Sequence, residues 1–438
     1  MKKKNIYKCF LCGLFIISLS LCTAQKKVQT DVGYGWSSNS VNTVKFRKNA
    51  LTTFKHVQFI AYYDEKGTLV LGKRKLNSST WDIVKTTYKG NVKDAHNDIS
   101  IAVDGNGYLH VSWDHHNTKL RYAKSKQPLS LDLGKEEPMT GLEEKMVTYP
   151  EFYNLPNGNL LFFYRSGASG RGNMVINSYD IKENKWSQLQ QNLLNGEESR
   201  SAYWQAKVDK LGVVHLSWVW RESWDVSTNH DLCYARSKDG GVTWEKSSGE
   251  KYKLPITAAS AEYAWEIPQK SSLINQTAMT ADKNGNPYIV SYWSDNGVPQ
   301  FQMVYLENEK WKKVNTGFRT TSFYLGGGGT KRIPISRPDI LIKDKGNNTF
   351  FYLLFRDEER GSKISMAYSN LKDIMNWKVT DLTNSSVGEW EPNYDAELWK
   401  NKKKIHVFVQ NVNQVDGEGL SKTKPTMVSV LELNNLPK

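Results

Sequence analysis

The chain has 438 residues, too many for a small disulfide-stapled domain and enough to bury a large core without one. With 39% hydrophobic, 12% aromatic and 24% charged residues it falls outside the disordered and collagen-like classes. Its net charge of +14 suits an anionic partner. No arginine-rich run or nucleic-acid module accompanies that charge, so an acidic polysaccharide fits better than nucleic acid.

The chain opens with Met1-Lys-Lys-Lys, an apolar run from Cys9 to Leu21, and Cys22-Thr-Ala24 ahead of Gln25. This reads as a signal peptide over residues 1–24, because the apolar run is too short to span a bilayer. The protein is therefore expected to be exported, secreted or periplasmic, with no membrane-spanning segment. Cys22 offers an alternative as a lipidation site on a surface lipoprotein, although Leu21 is bulky for that signal. The leader carries four lysines and no acids, which leaves +10 on a chain beginning at Gln25. Only Cys233 of the four cysteines lies beyond the leader, so no internal disulfide is expected. Residues 25–438 are read as one domain, and a monomer is expected.

One unit recurs: an apolar strand, a turn rich in Gly, Asn and Asp, a second apolar strand, then a short outer strand. The turns fall at Asp64-Glu-Lys-Gly67, Asp104-Gly-Asn-Gly107, Pro156-Asn-Gly158, Asp209-Lys-Leu-Gly212, Asp282-Lys-Asn-Gly285 and Asp344-Lys-Gly346, with a weaker seventh at Lys400-Asn-Lys-Lys403. Units spaced by about 40 to 70 residues predict an all-β, seven-bladed β-propeller. Ser237-Lys-Asp-Gly-Gly-Val-Thr-Trp244 has the form of an Asp-box, a turn that braces a blade and performs no chemistry.

Two hairpins place polar groups at matching positions on their open ends. His96 and His116 lie ten residues either side of Asn106, and Tyr149 and Arg165 eight either side of Asn157. Unslipped antiparallel pairing sets each pair opposite, with Cβ atoms roughly 5 Å apart. A bulge would instead turn His115 inward. The next hairpin brings Arg200 and Arg221 to its open end beside Tyr203, Trp204 and Trp218, and Arg337 and Arg356 approach the same level from blade six. These residues predict a basic, aromatic-lined canyon, in which Asn97, Arg200, Tyr203, Trp204 and Arg221 are candidate substrate-binding residues. His110 and His215 each precede Ser-Trp inside a strand and are expected to be structural. The run Asn229-His-Asp-Leu-Cys233 offers the clearest metal chemistry, with His230, Asp231 and Cys233 as candidate zinc ligands, although a zinc site needs a further donor. A buried, inert thiol is the alternative for Cys233.

Ala95-His-Asn97, Asp114-His-His-Asn117, Leu120-Arg-Tyr122, Tyr149-Pro-Glu-Phe152, Tyr164-Arg-Ser-Gly167, Trp218-Val-Trp-Arg-Glu222 and Asn229-His-Asp231 resemble the BNR-repeat propeller family. That family includes the ulvan lyases of polysaccharide lyase families twenty-four and twenty-five. The resemblance spans nearly all of residues 25–438. It implies β-elimination on a sulfated rhamnose–uronic acid polymer, with catalytic roles for His96, His116, Tyr149 and Arg165. Arg165 with His116 would neutralise the uronate carboxylate, and His96 or Tyr149 would take the C5 proton and protonate O4. No cofactor is implied for the chemistry; the metal that some relatives carry would be structural. Two rivals compete: a sialidase-like glycoside hydrolase, suggested by the Asp-box and Lys331-Arg-Ile-Pro334, and a non-catalytic glycan-binding propeller.

Overall fold

The computed structural model describes residues 27–46 and 48–437. The leader, Cys22 and the predicted cleavage point lie outside the described residues, and none of the described helices is long and apolar enough to cross a membrane.

Seven small antiparallel sheets follow one another around a ring. Blade one comprises Leu51–Phe54, Val57–Tyr63, Thr68–Lys75 and Asp82–Lys89, and blades three to six repeat its four-strand meander. Blade two has three strands, Ile99–Val103, Leu109–Trp113 and Tyr122–Lys124. The ring closes in blade seven, where the first strand, Lys27–Gly35, pairs antiparallel with the last, Thr426–Leu433, which in turn pairs with Ile405–Val409. The seven-bladed propeller expected from the repeat is the observed fold.

The recurrent Asp turn explains why the repeat folds as it does. In four of the hairpins the Asp side chain accepts the N–H groups two and four residues on: Asp64 from Lys66 and Thr68, Asp104 from Asn106 and Tyr108, Asp209 from Leu211 and Val213, Asp282 from Asn284 and Asn286. The glycine three residues after each Asp has a positive φ, between 70° and 90°, which an L side chain resists. The seventh turn differs. Lys400–Lys403 is no hairpin but the end of a short helix, Ala396–Lys402, capped by Asp395, whose side chain accepts the Leu398 N–H. Basic residues in its last turn suit the helix terminus.

Apolar faces of successive blades pack on one another, and Trp113, Trp218, Trp220, Trp293 and Trp390 are fully buried between them. The Asp-box is structural as expected: Asp239 accepts from Ser237 and Thr243, and the buried Trp244 donates to the Gly241 carbonyl. His110 and His215 occupy equivalent places in blades two and four. Each imidazole bridges the Asp of its turn (Asp104, Asp209) and a tyrosine hydroxyl on the third strand (Tyr122, Tyr234). Replacing His215 by Ala strands a buried carboxylate and opens a cavity. His215→Ala is expected to cost about 2–4 kcal/mol in denaturant unfolding.

Candidate active site

The four candidate side chains meet at the open ends of blades two and three, by routes the unslipped hairpins did not foresee. Pairing in blade two stops at Ile99↔Trp113, short of both histidines. His96 lies in the turn before the blade. His116 crosses to blade three, where His116–Thr118 adds a fifth strand against Val147–Asn154. Asp114 and Asn117, both with positive φ, make that departure. Yet the two imidazoles stack, with centroids 4.1 Å apart and planes 18° from parallel.

Asp94 is what holds them. One carboxylate oxygen accepts from His96 Nδ1 at 2.9 Å and the other from His116 Nδ1 at 2.5 Å. Phe46 covers the far face of His96, its centroid 5.1 Å away. Glu418, from the blade-seven loop, lies 3.3 Å from His96 Nδ1, and Thr330 supports both. Burial opposes a charge on His96, but the bonds to Asp94 and Glu418 outweigh it and raise its pKa to about 9. Asp94 is held well below the usual carboxylate range: burial acts against this, and the hydrogen bonds from His116 and His96 prevail. Both Nε2 atoms are left without a protein partner among the described residues. His115 is not the inward residue. It is fully buried, its Nε2 accepts the Arg121 N–H, and burial together with Arg121 lowers its pKa to about 3.

In blade three a register break between Thr148 and Glu151 places Thr148, not Tyr149, opposite Arg165. Tyr149 sits in this bulge at φ +59°. The pair still meets, the guanidinium lying 5.1 Å from the centre of the Tyr149 ring. Arg165 donates to the Gly167 carbonyl, Asn117 Oδ1 and Thr148 Oγ1. It is 4% exposed and has no carboxylate within 4 Å among the described residues. Gly172 makes room for it: a Cβ there would stand 2.6 Å from Arg165 Cγ. Tyr149 also packs on Phe46 and Tyr203. Burial and then Tyr203 push its pKa up, against Arg165, Arg221 and Arg337. For Tyr203 the balance reverses: burial raises the pKa, but Arg221 and Arg165 prevail and lower it.

The surrounding residues divide by charge pairing. Arg221 stacks on Tyr203 at 5.4 Å and, like Arg165, has no carboxylate partner among the described residues. Arg200 is instead paired with Glu222 at 2.7 Å and Glu197 at 3.6 Å. Arg337 does approach the site, its guanidinium 5.8 Å from the centre of the Phe46 ring, but it is paired with Glu391 and bonded to the Asn275 carbonyl; Arg356 is corrected to core, fully buried and tying Glu389 to the Ile333 and Pro334 carbonyls. That gives the Arg-Ile-Pro segment a structural use. Trp204 is also corrected from substrate binding to core: it is 2% exposed and its indole donates to Glu151. Asn97 is buried with its Nδ2 on the Asn91 carbonyl and its Oδ1 without a hydrogen-bond donor among the described residues.

The zinc set His230, Asp231 and Cys233 does not fit a metal. Both His230 nitrogens are engaged, Nδ1 with Asp231 at 2.8 Å and Nε2 with Glu222 at 2.7 Å. A bulge at Asp231 breaks the alternation and sends Cys233 into the core, where burial raises its thiol pKa far from the thiolate that zinc requires. Asp94, His96 and His116 have donor atoms within 4.8 Å of one another. Their near-parallel rings do not aim lone pairs at one point, and each Nδ1 already meets a carboxylate oxygen.

Sequence reasoning missed Asp94, Phe46, Thr330 and Glu418. Only Asp94 carried a signal, two residues before His96. It also missed two exposed rings, Trp224 at 71% and Tyr324 at 66% exposure. The glycines of Tyr324-Leu-Gly-Gly-Gly-Gly-Thr330 join them to His96: Gly327 bonds Asp225, and a Cβ on Gly328 would stand 2.8 Å from the Trp224 ring.

This seven-bladed propeller, with two imidazoles, a phenol and an unpaired guanidinium at one end, belongs to the BNR repeat-containing family, whose model matches residues 57–318. An ulvan lyase, long isoform, from Alteromonas sp. is 22% identical over 381 residues, 69% of this chain and 38% of the relative. The short isoform from Alteromonas sp. strain LOR is 26% identical over 198 residues, 32% of this chain and 37% of the relative. The matched part thus spans well under half the length of these curated relatives. Among solved structures, a PL25 ulvan lyase bound to -[GlcA(1-4)Rha3S]- superposes with a TM-score of 0.67 at 14% identity, covering 92% of this chain and 96% of that one. The polysaccharide lyase Uly1 gives 0.64 at 15% identity, covering 95% and 94%. These structures share the fold.

His96 contributes stability that is complete below its unfolded pKa of about 6.5 and is lost as pH rises through its folded value of about 9. Asp94→Asn is expected to lower the His96 pKa by removing its strongest partner and to flatten stability between those pH values. Imidazole NMR titration and denaturant unfolding across pH measure both effects.

Proposed function

We propose that this protein is a polysaccharide lyase that cleaves a uronic-acid-containing sulfated polysaccharide, ulvan, by β-elimination. The observation that carries this reading is Arg165: a buried guanidinium with no carboxylate partner among the described residues, touching Tyr149 beside the imidazole pair on Asp94. A buried cation without an anion suits a site whose substrate supplies one. The ulvan lyase relatives add the substrate class.

The C5 proton of a uronate is barely acidic while its carboxylate stays charged. Arg165 and the protonated His96 would neutralise that carboxylate and hold the charge that develops as the proton leaves. His96 is paired with both Asp94 and Glu418, so it serves as a cation rather than a base near neutral pH. His116 then takes the C5 proton at Nε2, its Nδ1–H fixed on Asp94 as in other Asp-oriented imidazole bases. Tyr149, kept protonated by its raised pKa, gives its proton to O4 as the C4–O4 bond breaks. The products are an unsaturated uronyl end and a free hydroxyl; a proton passing from His116 to Tyr149 through water resets the site. Arg221 and Tyr203 line the same cleft, and Trp224 and Tyr324 offer stacking faces for neighbouring sugars.

Incubation with ulvan is expected to raise ultraviolet absorbance as the conjugated product forms. A flat trace with ulvan and other uronate polymers would leave the glycan-binding reading. Tyr149→Phe should reduce kcat by roughly 10²–10⁴-fold with the fold intact. The wild-type rate should fall as pH rises through about 9, where His96 loses its proton. Trp224→Ala should raise KM and leave kcat nearly unchanged, since it removes binding shared by substrate and transition state.

A further inference from the structure

The inner strands of blades one, three, four, five and six, with the irregular inner segment of blade seven, enclose a cavity of about 90 Å³ on the propeller axis, closed on one side by the helix Ala396–Lys402. Four lysines line it, Lys45, Lys48, Lys207 and Lys400, against two carboxylates, Asp339 and Glu397. Lys45 is buried and holds Asp339 at 2.6 Å. The other three have no carboxylate within 4 Å among the described residues. Among the described residues Lys48 reaches the Thr277 carbonyl, and Lys207 the Tyr394 hydroxyl at 3.4 Å, with that ring 5.8 Å from its ammonium. Glu151, beside the lining Phe152, accepts from Tyr153 and Trp204 through one oxygen; burial raises its pKa, while Lys48 and Lys45 draw it down.

Clustered ammonium groups that outnumber their counter-charges repel one another and lose hydration. They persist together at lowest cost when an anion lies among them. We propose that this axial cavity binds a small tetrahedral oxyanion, of the sulfate or phosphate type, held by Lys48, Lys207 and Lys400. Burial, together with repulsion from Lys48, brings the Lys45 pKa down to about 8 against Asp339, and burial lowers Lys207 against Glu397 and Asp339. A neighbouring cleft on the turn face, which shares Asn154, Glu397 and Lys400 with this cavity, adds Lys55, Lys210 and Lys402 against Asp104. The site is separate from Arg165 and the histidines and does not rest on the lyase reading.

The test is thermal melting at constant pH and ionic strength, with chloride replaced by sulfate or phosphate up to about 10 mM. That range lies below the concentrations at which sulfate stabilises proteins generally through surface exclusion. The wild type should show a saturable rise in Tm, as linkage requires of a ligand that binds the folded state. Lys207→Met should lose that rise and melt no lower than the wild type in chloride alone, because its removal relieves repulsion. Lys400→Met, on the helix, is the second variant should Lys207→Met fail to fold. A parallel series with a sulfated monosaccharide separates the sources: a response to the inorganic ions alone assigns a free oxyanion, and a response to both assigns a sulfate ester as well. No saturable rise in the wild type, or an equal rise in the variants, overturns the proposal. Turnover of ulvan by the folded variants should match the wild type, so this test and that of the lyase reading fail independently.

Discussion

The pairing of Lys27–Gly35 with Thr426–Leu433 is the constraint on which the other contacts depend. A propeller blade buries its apolar faces only against two neighbours, so an open ring would expose two faces at once. Closure by antiparallel pairing of the two chain regions removes both exposures with one hydrogen-bonded ladder and fixes the distance of every inner strand from the axis. Loops from different blades can then meet. His96 rests on Asp94 of its own turn but also faces Thr330 after blade five and Glu418 from blade seven. Lys27 and Leu433 are paired across almost the whole chain, so this register is the least local contact of the fold.

The blade architecture was legible because its determinants are local. An Asp followed three residues later by Gly, between apolar strands, contains its own hydrogen bonds and its own positive φ. Even the structural histidines could be recognised, since His110 and His215 recur at one place in the unit. The site was legible only as a list of members. The spacing that set Tyr149 opposite Arg165 holds from Glu151 onward and fails at the bulge, and the two residues meet through side chains instead. His116 was matched to His96 by counting along a hairpin that both residues lie outside. Trp204 was misread because alternation along its strand sends Tyr203 and Trp204 to opposite faces. Cys233 takes the buried-thiol alternative, because the bulge at Asp231 interrupts the alternation and leaves the sulfur in the core. Glu418 lies more than three hundred residues from His96, and no local pattern marks it.

Arginine pairing separates framework from function more sharply than burial does. Arg356, Arg337 and Arg165 are all buried, and composition alone treats them alike. Arg356 and Arg337 meet Glu389 and Glu391, so their charge is spent within the protein. Arg165 meets only neutral acceptors. The same distinction sets Arg221 apart from Arg200 at the cleft, and the three unpaired axial lysines apart from Lys45.

Tyr149 carries a different message through its backbone. A bulky residue in the left-handed region costs on the order of 1–3 kcal/mol relative to a relaxed conformation, and glycine or asparagine would occupy the position with less strain. The backbone alone therefore does not favour tyrosine here, although its ring packs on Phe46 and Tyr203. A library randomised at this codon and selected only for soluble, protease-resistant protein would be free to lose the hydroxyl and would settle where packing on Phe46 and Tyr203 balances backbone strain. The same library selected for turnover would return tyrosine, and the divergence of the two populations would measure how strongly the phenol is retained against the preference of the chain that carries it.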